Sequence, residues 1–414
     1  MPEFLTLLPP DEARTLLLSH LQPITHSERI DVSSSLGRVL AEDVVASQPL
    51  PDFERSTVDG YALRASDTHG ASDSLPAYLT LTGEVPMGDA PAFKIEVTQC
   101  ALIHTGGMLP DGTDAVVMLE HTQRTGSAEI EVLRAVAQGE NTIHIGEDVA
   151  QGQTVLKKGS LISPAEIGGL MALGITEVNV VGKVHVGLIA TGDEVIDPRQ
   201  SPRPGQVRDV NSYTLAALIE KSGGNATLYG IVPDAFDALR QSASGALSEC
   251  DVLIVTAGSS ASTRDMTADV IRSLGKPGVL VHGINTRPGK PTILGVCHGK
   301  AVIGLPGNPV SALVNGYLFV VPVIERLLGV LPKPKPSVLA QLVVNLSSQA
   351  GREDWWPVKL ISAKGAQSLH EYEADPVFGK SNLIFTLASA DGLLRIPPSA
   401  TGLSAGEIVE VYLL

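Results

Sequence analysis

The sequence predicts a multidomain protein built around an α/β domain, with β-rich domains before and after it. A chain of 414 residues exceeds one ordinary domain, so we expect three or four. Between residues 183 and 330, apolar runs alternate with helical patterns, which is typical of a parallel sheet covered by helices on both faces. Residues 46–145 and 331–414 instead show short alternating runs broken by glycine and proline, which indicates β structure.

The charge balance restricts the ligands that the protein can bind. Its formal net charge is -15, which argues against a general nucleic-acid surface and against binding to an acidic membrane. An anionic ligand would therefore need a local cluster of positive charge. The ten histidines are scattered without a metal-binding spacing, so we do not expect a zinc site.

The cysteines and the start of the chain predict a cytoplasmic protein. The cysteines are odd in number and widely separated, so neither a disulfide framework nor a metal-spaced pair is indicated: Cys100, Cys250 and Cys297. No basic segment followed by an apolar core opens the sequence, so no signal peptide is expected. The apolar run around Leu318 is interrupted by Glu325 and Arg326, too early for a membrane span.

Two separate segments, residues 1–45 and 146–182, are predicted to form one discontinuous linker and helical domain. Residues 9–22 have the pattern of an amphipathic helix with acidic residues in its first turn. In the second segment, Ser163 and Glu166 have the spacing of a capping box at the start of a helix.

The inserted mostly-β domain, residues 46–145, carries two segments of unusual composition. The first, PLPDFERSTVDGYALRASD from residue 49, crowds charged residues into one loop: Asp52, Glu54, Arg55, Asp59 and Asp67. The second, HTGGMLPDGTDAVVMLE from residue 104, is a glycine-rich loop that leads into a strand at Ala115. The acids can form a solvated turn or a metal or catalytic site, and the residue types alone leave both open.

The α/β domain, residues 183–330, is predicted to contain alternating strands and helices. We expect strands at residues 184–190, 226–232, 251–256 and 279–283, and helices at residues 211–222, 235–247 and 265–274. The polar loops that follow these strands are TGDE at 191–194, AGSSASTRD at 257–265, RPGKP at 287–291 and LPGNPVS at 305–311. Ligands of parallel sheets bind where the strands end, so these loops predict a site for a phosphate-bearing ligand.

The LPGNPVS turn has the composition of a strand-to-helix junction. Pro306 cannot donate a backbone hydrogen bond, Gly307 permits unusual dihedral angles, and Asn308 can cap a helix that begins at Pro309. The N–H groups at such a helix start can seat an anion. A purely structural turn explains the same residues, so the turn by itself does not distinguish an anion-binding site from a structural turn.

A proline-rich linker, LPKPKP at residues 331–336, precedes the last domain. Residues 337–414 have short alternating segments, which predict a small β-barrel or sandwich. Trp355 and Trp356 fall in this domain, and we interpret them as core or interface residues rather than as part of a site.

In their order and spacing, the motifs of this chain resemble those of the MoeA family, the molybdopterin molybdenumtransferases, which are related to the E domain of gephyrin. The resemblance rests on VDGYA from residue 58, TGG from 105 with DGTDAVVMLE after it, GED from 146, ATGDEV from 190, RPGKP from 287 and LPGNPVSA from 305. It covers nearly the whole chain.

The resemblance implies an elongated, four-domain subunit that forms a homodimer, with an α/β domain like that of the MogA family and a C-terminal β-barrel. It implies an enzyme that takes adenylylated molybdopterin and molybdate as substrates and yields molybdenum cofactor and AMP, with Mg²⁺ as the cation. The active cleft would lie between the α/β domain of one subunit and the inserted β domain of the other. Molybdopterin adenylyltransferase and apo-molybdoenzymes are expected as transient partners.

The resemblance also implies roles for individual residues. Asp59 and Asp148 are expected near the chemistry with Thr105 as a hydrogen-bonding partner, and Glu194 and Asp265 on the metal or pterin side; these five are the catalytic candidates. Lys290 and Arg287 supply the positive charge that an oxyanion needs. The remaining substrate-binding candidates are Thr191, Gly192, Asp193, Gly258, Ser259, Arg264, Pro306, Gly307, Asn308, Pro309 and Ser311.

Two segments depart from the family pattern. The usual SGGVSVGxxD loop is AGSSASTRDMT here, which adds Arg264 beside Asp265 and is similar to a loop of the adenylylating MogA family. FERSTVDGYA replaces the usual FDNSAMDGYA. These departures keep three alternatives open: a tungstate-handling paralogue, a molybdopterin adenylyltransferase, and a non-catalytic cofactor-binding scaffold.

Overall fold

The structure is a computed structural model that describes residues 7–257, 261–362 and 371–414, and of residues 261–265 it describes the backbone alone. The chain begins with helix α1 (Pro10–Ser19), followed by strands β1 (Ser27–Asp31) and β2 (Val44–Val45). Ala13 and Leu17 of α1 are fully buried against the main core. The helix therefore packs through the apolar face that its sequence predicts, although it ends three residues before the predicted boundary.

The strands between residues 55 and 143 form a β domain around one six-stranded sheet. Its strands are β3 (Arg55–Ser56), β4 (Gly60–Leu63), β5 (Ala77–Glu84), β6 (Gln99–Ile103), β7 (Ala115–Met118), β8 (Thr122–Thr125), β9 (Glu129–Val132) and β10 (Thr142–Ile143). The sheet order is β7-β4-β6-β5-β9-β8, and β3 pairs separately with β10. Alternate residues of a strand belong to two different apolar clusters: in β4, Tyr61 and Leu63 belong to one cluster and Ala62 to the other.

After this domain the chain returns to its first segment. Strand β11 (Thr154–Leu156), helix α2 (Pro164–Ala172) and strand β12 (Glu177–Val181) follow. β12 pairs antiparallel with β1, and β11 pairs with β2. Helix α2 begins with the capping box, in which the Glu166 carboxylate accepts the Ser163 backbone N–H at 2.9 Å. Residues of both segments, among them Val32 and Leu170, share one apolar cluster.

The α/β domain contains a six-stranded sheet and five helices in the described part of the chain. Its elements are β13 (Val184–Thr191), β14 (Val195–Ile196), β15 (Val207–Arg208), α3 (Asn211–Lys221), β16 (Gly224–Val232), α4 (Phe236–Glu249), β17 (Val252–Ala257), α5 (Ala261–Leu274), β18 (Pro277–His282), β19 (Thr286–Arg287), β20 (Ile293–Cys297), β21 (Lys300–Pro306), α6 (Pro309–Asn315) and α7 (Val321–Leu328). The sheet order is β16-β13-β17-β21-β20-β18.

The predicted coverage of the sheet on both faces is confirmed. In β17, Val252 and Ile254 lie in the core that also contains residues of α1, α3, α6 and α7, whereas Leu253 and Val255 lie in the core formed with α4 and α5. The three cysteines are free and buried, as expected for residues with no disulfide role.

The sheet is parallel from β16 to β21 but mixed beyond it, which the sequence analysis did not predict. Strand β20 runs antiparallel to both β21 and β18. Its hairpin to β21 turns through His298 and Gly299, both with positive φ, which matches the tight turns that connect twisted strands. The hairpin places the RPGKP loop, which precedes β20, at the same edge as the ends of the parallel strands.

Residues 309–328 are long and apolar enough to cross a membrane by length and composition. They form α6, a π-helical turn (Gly316–Val320) and α7, and 72% of their most apolar window is buried inside the protein. Phe319 and Val323 are fully buried in the main core. This segment is therefore a core helix of the α/β domain.

The C-terminal domain is a closed five-stranded barrel, as predicted. Its elements are β22 (Ser337–Leu342), β23 (Leu346–Ser347), β24 (Glu353–Ser362), β25 (Tyr372–Pro376), α8 (Phe385–Ala388), β26 (Gly392–Ile396), β27 (Gly402–Leu403) and β28 (Ile408–Leu413). The strand order β24-β25-β22-β28-β26 closes through pairing of β26 with β24. Strand β19 of the α/β domain pairs in parallel with the start of β24, so the two domains share backbone hydrogen bonds.

Candidate active site

A cleft of about 710 Å³ lies between the carboxyl edge of the α/β sheet and the barrel. Its α/β wall consists of residues 286–291 and parts of residues 306–311. Its barrel wall consists of Arg352, residues 355–357 and parts of residues 377–386. Every charged side chain that the structure places in this lining is basic: Arg287, Lys290, Arg352 and Lys380. In a chain of net charge -15, this concentration of positive charge indicates a site for an anion.

The RPGKP loop is fixed by a buried asparagine from helix α6. Asn315 Nδ2 donates to the carbonyl oxygens of Pro288 (3.1 Å) and Ser311 (2.8 Å). A Cβ at Gly289 would lie only 1.7 Å from that nitrogen, and the φ of Gly289 is 105°, so glycine is required there. Asn315 was not predicted as a site residue, although an asparagine within the apolar run from Ala312 to Val323 indicates a buried polar role.

The LPGNPVS turn adopts the predicted strand-to-helix geometry but not the predicted capping. Pro309 is the first residue of α6 and Asn308 occupies the N-cap position, yet the Asn308 side chain makes no capping bond. Its Nδ2 donates instead to Ser381 Oγ at 3.1 Å, and the Val310 N–H donates to the Ser381 carbonyl oxygen at 3.0 Å. The barrel therefore occupies a donor of the helix start that was expected to bind an anion.

The LPGNPVS residues divide between the cleft and its support. Pro306, Asn308 and Ser311 line the cleft. Gly307 supports the turn, because its carbonyl oxygen accepts from Asn211 Nδ2 at 2.8 Å. Pro309 likewise lies outside the described lining and starts the helix.

The barrel supplies cleft residues that the sequence analysis did not select. Arg352 binds Asp354 through two hydrogen bonds, from Nε at 2.6 Å and from Nη2 at 2.9 Å. Trp355 and Trp356 pack against the apolar cores, as predicted from the sequence. Both also line the cleft, which was not predicted. Other lining residues from the barrel are Lys380, Ser381 and Asn382. No local motif marks these residues, since they meet the loops only through the packing of two domains.

Asp59 and Thr105 form a hydrogen-bonded pair in the β domain. Asp59 Oδ1 accepts from Thr105 N at 2.8 Å and from Thr105 Oγ1 at 3.1 Å. These hydrogen bonds, that of the backbone N–H first, hold the pKa of the Asp59 carboxyl below its ordinary value of 3.8. His104 lies beside the pair, with Nδ1 3.7 Å from Asp59 Oδ1 and Nε2 3.1 Å from Glu84 Oε1. Asp59 is therefore ionised and exposed at neutral pH.

The GED turn lies beside the loop that leads to Asp59. The backbone N–H groups of Gly146 and Asp148 donate to the carbonyl oxygens of Pro51 (2.9 Å) and Leu50 (3.1 Å). The Asp148 side chain is exposed. The TGG loop joins from the other side, because Ser56 N donates to the Gly107 carbonyl oxygen at 3.0 Å. The loop that precedes Asp59 is therefore bonded to two motifs that are far away in sequence. We call the part of the surface that carries Asp59, Thr105 and Asp148 the acidic surface.

The TGDE residues lie at the end of β13 but outside the described lining of the cleft. Thr191 is buried and its hydroxyl donates to Asp234 Oδ1. Asp193 Oδ1 accepts from Asp234 N at 3.3 Å. A Cβ at Gly192 would lie 2.7 Å from Val195 Cγ2, so this glycine permits a tight turn. Glu194 is half-buried, and its carbonyl oxygen accepts from Val207 N at 2.8 Å.

Part of the predicted site lies outside the described residues. Gly258 and Ser259 are not described, and Arg264 and Asp265 lie in helix α5 without described side chains. In the part of the chain that the structure describes, no three histidine, cysteine or acidic side chains are placed together to hold a metal ion. Among the described residues, Glu194 therefore has no further histidine, cysteine or acidic side chains grouped with it as a preformed metal site.

The structure thus separates the candidates into two groups. The basic cleft contains Arg287, Lys290, Pro306, Asn308 and Ser311 of the predicted site. Asp59, Thr105 and Asp148 belong to the acidic surface, and the described lining of the cleft contains none of them.

A basic cleft at the carboxyl edge of an α/β sheet, joined to a β-barrel, indicates a class of multidomain proteins that bind phosphorylated or oxyanionic ligands. Family models identify the class further: residues 8–174 match the MoeA N-terminal region (domain I and II), residues 187–326 a "probable molybdopterin binding domain", and residues 340–414 the MoeA C-terminal region (domain IV). The chain belongs to the MoeA family.

Individual relatives are similar to this chain over nearly their full length. A molybdopterin biosynthesis protein of Methanocaldococcus jannaschii is 37% identical, with 94% of this chain and 92% of the relative covered. The molybdopterin molybdenumtransferase of Haemophilus influenzae is 31% identical, with 97% of each covered. The crystal structure of the molybdopterin biosynthesis MoeA protein from Pyrococcus horikoshii OT3 superposes with a TM-score of 0.85 at 32% identity, over 99% of this chain and 100% of that chain.

Proposed function

We propose that this protein is a molybdopterin molybdenumtransferase. It cleaves adenylylated molybdopterin and places molybdate on the dithiolene sulfurs, which yields molybdenum cofactor and AMP. Full-length relatives that carry this name support the assignment. The observation that carries it is that every charged side chain in the described lining of the cleft is basic, because both substrates are anions.

The residues of the cleft suit the two anions in different ways. Lys290 is an exposed point charge, and the guanidinium group of Arg287 can hold an oxyanion with two parallel hydrogen bonds. Arg352 already donates to both oxygens of Asp354, so it mainly shapes the wall of the cleft. Trp355 and Trp356 add flat apolar surface to the same wall, which suits a heterocyclic ring. We assign molybdate and the phosphate groups to the basic residues.

The acidic surface is the proposed source of the hydrolytic chemistry. Asp59 is ionised and can orient a water molecule towards the adenylate, with Thr105 fixing its carboxylate. Asp148 is proposed to act beside it. Glu194 and Asp265 are the carboxylates that would hold Mg²⁺, which would offset the negative charge of the phosphate groups.

We infer that the working enzyme is a homodimer. The acidic surface supplies none of the described cleft lining in its own chain, which supports a site completed by the acidic surface of a second copy. This arrangement fits an elongated subunit with units at residues 1–45 with 146–182, 46–145, 183–330 and 331–414. We further propose a cytoplasmic location, consistent with three free cysteines, and transient contacts with molybdopterin adenylyltransferase and apo-molybdoenzymes.

The test is release of AMP from adenylylated molybdopterin in the presence of Mg²⁺ and either molybdate or tungstate. We expect release that depends on molybdate and a product that activates an apo-molybdoenzyme. Lys290→Ala should slow this reaction strongly, whereas Lys335→Ala, in the exposed linker, should not. Dependence on tungstate alone would instead identify a tungstate-handling paralogue, and substrate binding without release would indicate a scaffold. Consumption of ATP with metal-free molybdopterin would identify an adenylyltransferase.

A further inference from the structure

One arginine of the cleft is held between an aromatic ring and a buried carboxylate. The guanidinium carbon of Arg287 lies 5.3 Å from the centre of the Trp356 ring, within the range of a cation–π contact. Arg287 Nη1 lies 3.8 Å from Asp354 Oδ2. Arg287 itself is 55% exposed, so these two contacts decide which of its many rotamers faces the cleft.

The carboxylate alone cannot fix the position of Arg287. Asp354 is buried, and each of its oxygens already accepts a hydrogen bond from Arg352, at 2.6 and 2.9 Å. The distance of 3.8 Å from Asp354 Oδ2 to Arg287 Nη1 is longer than a hydrogen bond. Asp354 therefore attracts the guanidinium group of Arg287 without fixing its orientation. The second contact of Arg287, with the flat face of the Trp356 indole, restricts the orientation of the guanidinium group, which the carboxylate does not fix.

The ring of Trp356 is itself held in place. It packs on the barrel core, and Phe378 meets it edge to face with 5.7 Å between ring centres. The neighbouring Trp355 has other partners, since its Nε1 donates to Glu353 Oε1 at 2.7 Å. Only the second tryptophan of the pair is therefore in the position to order Arg287.

We propose that Trp356 is a positioning residue for oxyanion binding: its indole ring, together with Asp354, holds the Arg287 guanidinium in the cleft before the anion arrives. A side chain that is ordered before binding loses less conformational entropy in the complex, so affinity rises without a new contact. This proposal rests on the proposed function, because it takes molybdate as the anion.

The test is calorimetric titration of the full-length protein with molybdate. Trp356→Leu should weaken binding about fivefold, the effect of one cation–π contact, whereas Trp356→Phe should restore most of it. Phe385→Leu, an aromatic replacement at an 82% exposed position of the same domain, should leave binding unchanged. In turnover assays, Trp356→Leu should raise the KM for molybdate and leave kcat nearly unaltered.

A double-mutant cycle separates positioning from other roles of the ring. If Trp356 acts through Arg287, Trp356→Leu should have no further effect on molybdate binding in an Arg287→Gln background. Losses that simply add, or unchanged binding in Trp356→Leu alone, would overturn the proposal. A wild-type protein that binds no molybdate would contradict the proposed function itself, which is a separate outcome.

Discussion

At the scale of single residues, Asp59 combines exposure with a fixed orientation. Thr105 donates two hydrogen bonds to one oxygen of its carboxylate, which leaves the other oxygen free of these donors. Because these bonds stabilise the ionised form, the pKa falls, and the stabilisation is complete above the ordinary value of 3.8 and is lost as the pH falls through the lowered pKa. The carboxylate is therefore charged throughout the neutral range.

We expect Asp59→Asn to lower the rate of AMP release by about 100-fold or more, the usual loss when a general base is removed. The fold should survive, because the asparagine oxygen can still accept the Thr105 N–H. Activity of the wild-type enzyme should show no loss from protonation of Asp59 above pH 5, which a pH–rate profile measures.

A control from the same loop is Asp52→Asn, at an exposed position outside the Asp59–Thr105 pair. We expect it to retain wild-type activity. Equal rates in the Asp52 and Asp59 variants would remove Asp59 from the proposed chemistry.

At the scale of secondary structure, β4 carries the motif that leads from the acidic loop into the sheet. Gly60 is the first residue of this strand, and a Cβ there would lie 2.0 Å from the Val117 carbonyl oxygen in the neighbouring β7. The glycine therefore permits close approach of two backbones immediately after Asp59.

We expect Gly60→Ala to destabilise the β domain by about 2–3 kcal/mol, because the strand must move away from its partner. The matched control is Gly168→Ala in helix α2, where an added Cβ would contact nothing within 4 Å. That change should stabilise the protein by roughly 0.5–1 kcal/mol through helix propensity. Chemical denaturation of both variants checks the prediction, and equal stabilities would contradict it.

Elements also show which parts of the fold could be predicted from sequence. Strands β13 and β17 were predicted because they are buried on both faces and consist almost entirely of apolar residues. Strand β20 was missed because its turn to β21 contains only His298 and Gly299, so the two apolar segments did not show the helix-separated pattern of a parallel sheet. Arg352 and Ser381 were missed because their role depends on the packing of the barrel against loops far away in sequence.

At the scale of the whole molecule, Arg395 of the barrel pairs with a buried glutamate of the same barrel and also contacts the first helix. Glu353 accepts from Arg395 Nη2 at 2.5 Å and from Trp355 Nε1 at 2.7 Å. Arg395 Nη2 also lies 3.3 Å from Asp11 Oδ2 in helix α1. Because Glu353 directly precedes Asp354, this network also positions the wall of the cleft.

We expect Arg395→Ala to lower the free energy of unfolding by about 3 kcal/mol, because it leaves the buried Glu353 carboxylate without its cation. The double variant Glu353→Gln with Arg395→Met should recover most of that loss, since it removes the uncompensated charge. Thermal unfolding measures both, and a single variant as stable as wild type would show that the pair is not needed for stability.

The β domain is joined to the rest of the chain by two adjacent segments. Ala46 N donates to the Gln153 carbonyl oxygen at 2.9 Å, and Gly152 N donates to the Ala46 carbonyl oxygen at 2.8 Å. The points where the chain enters and leaves this domain are therefore one hydrogen bond apart, and a loop of a few residues could close the gap if the domain were excised.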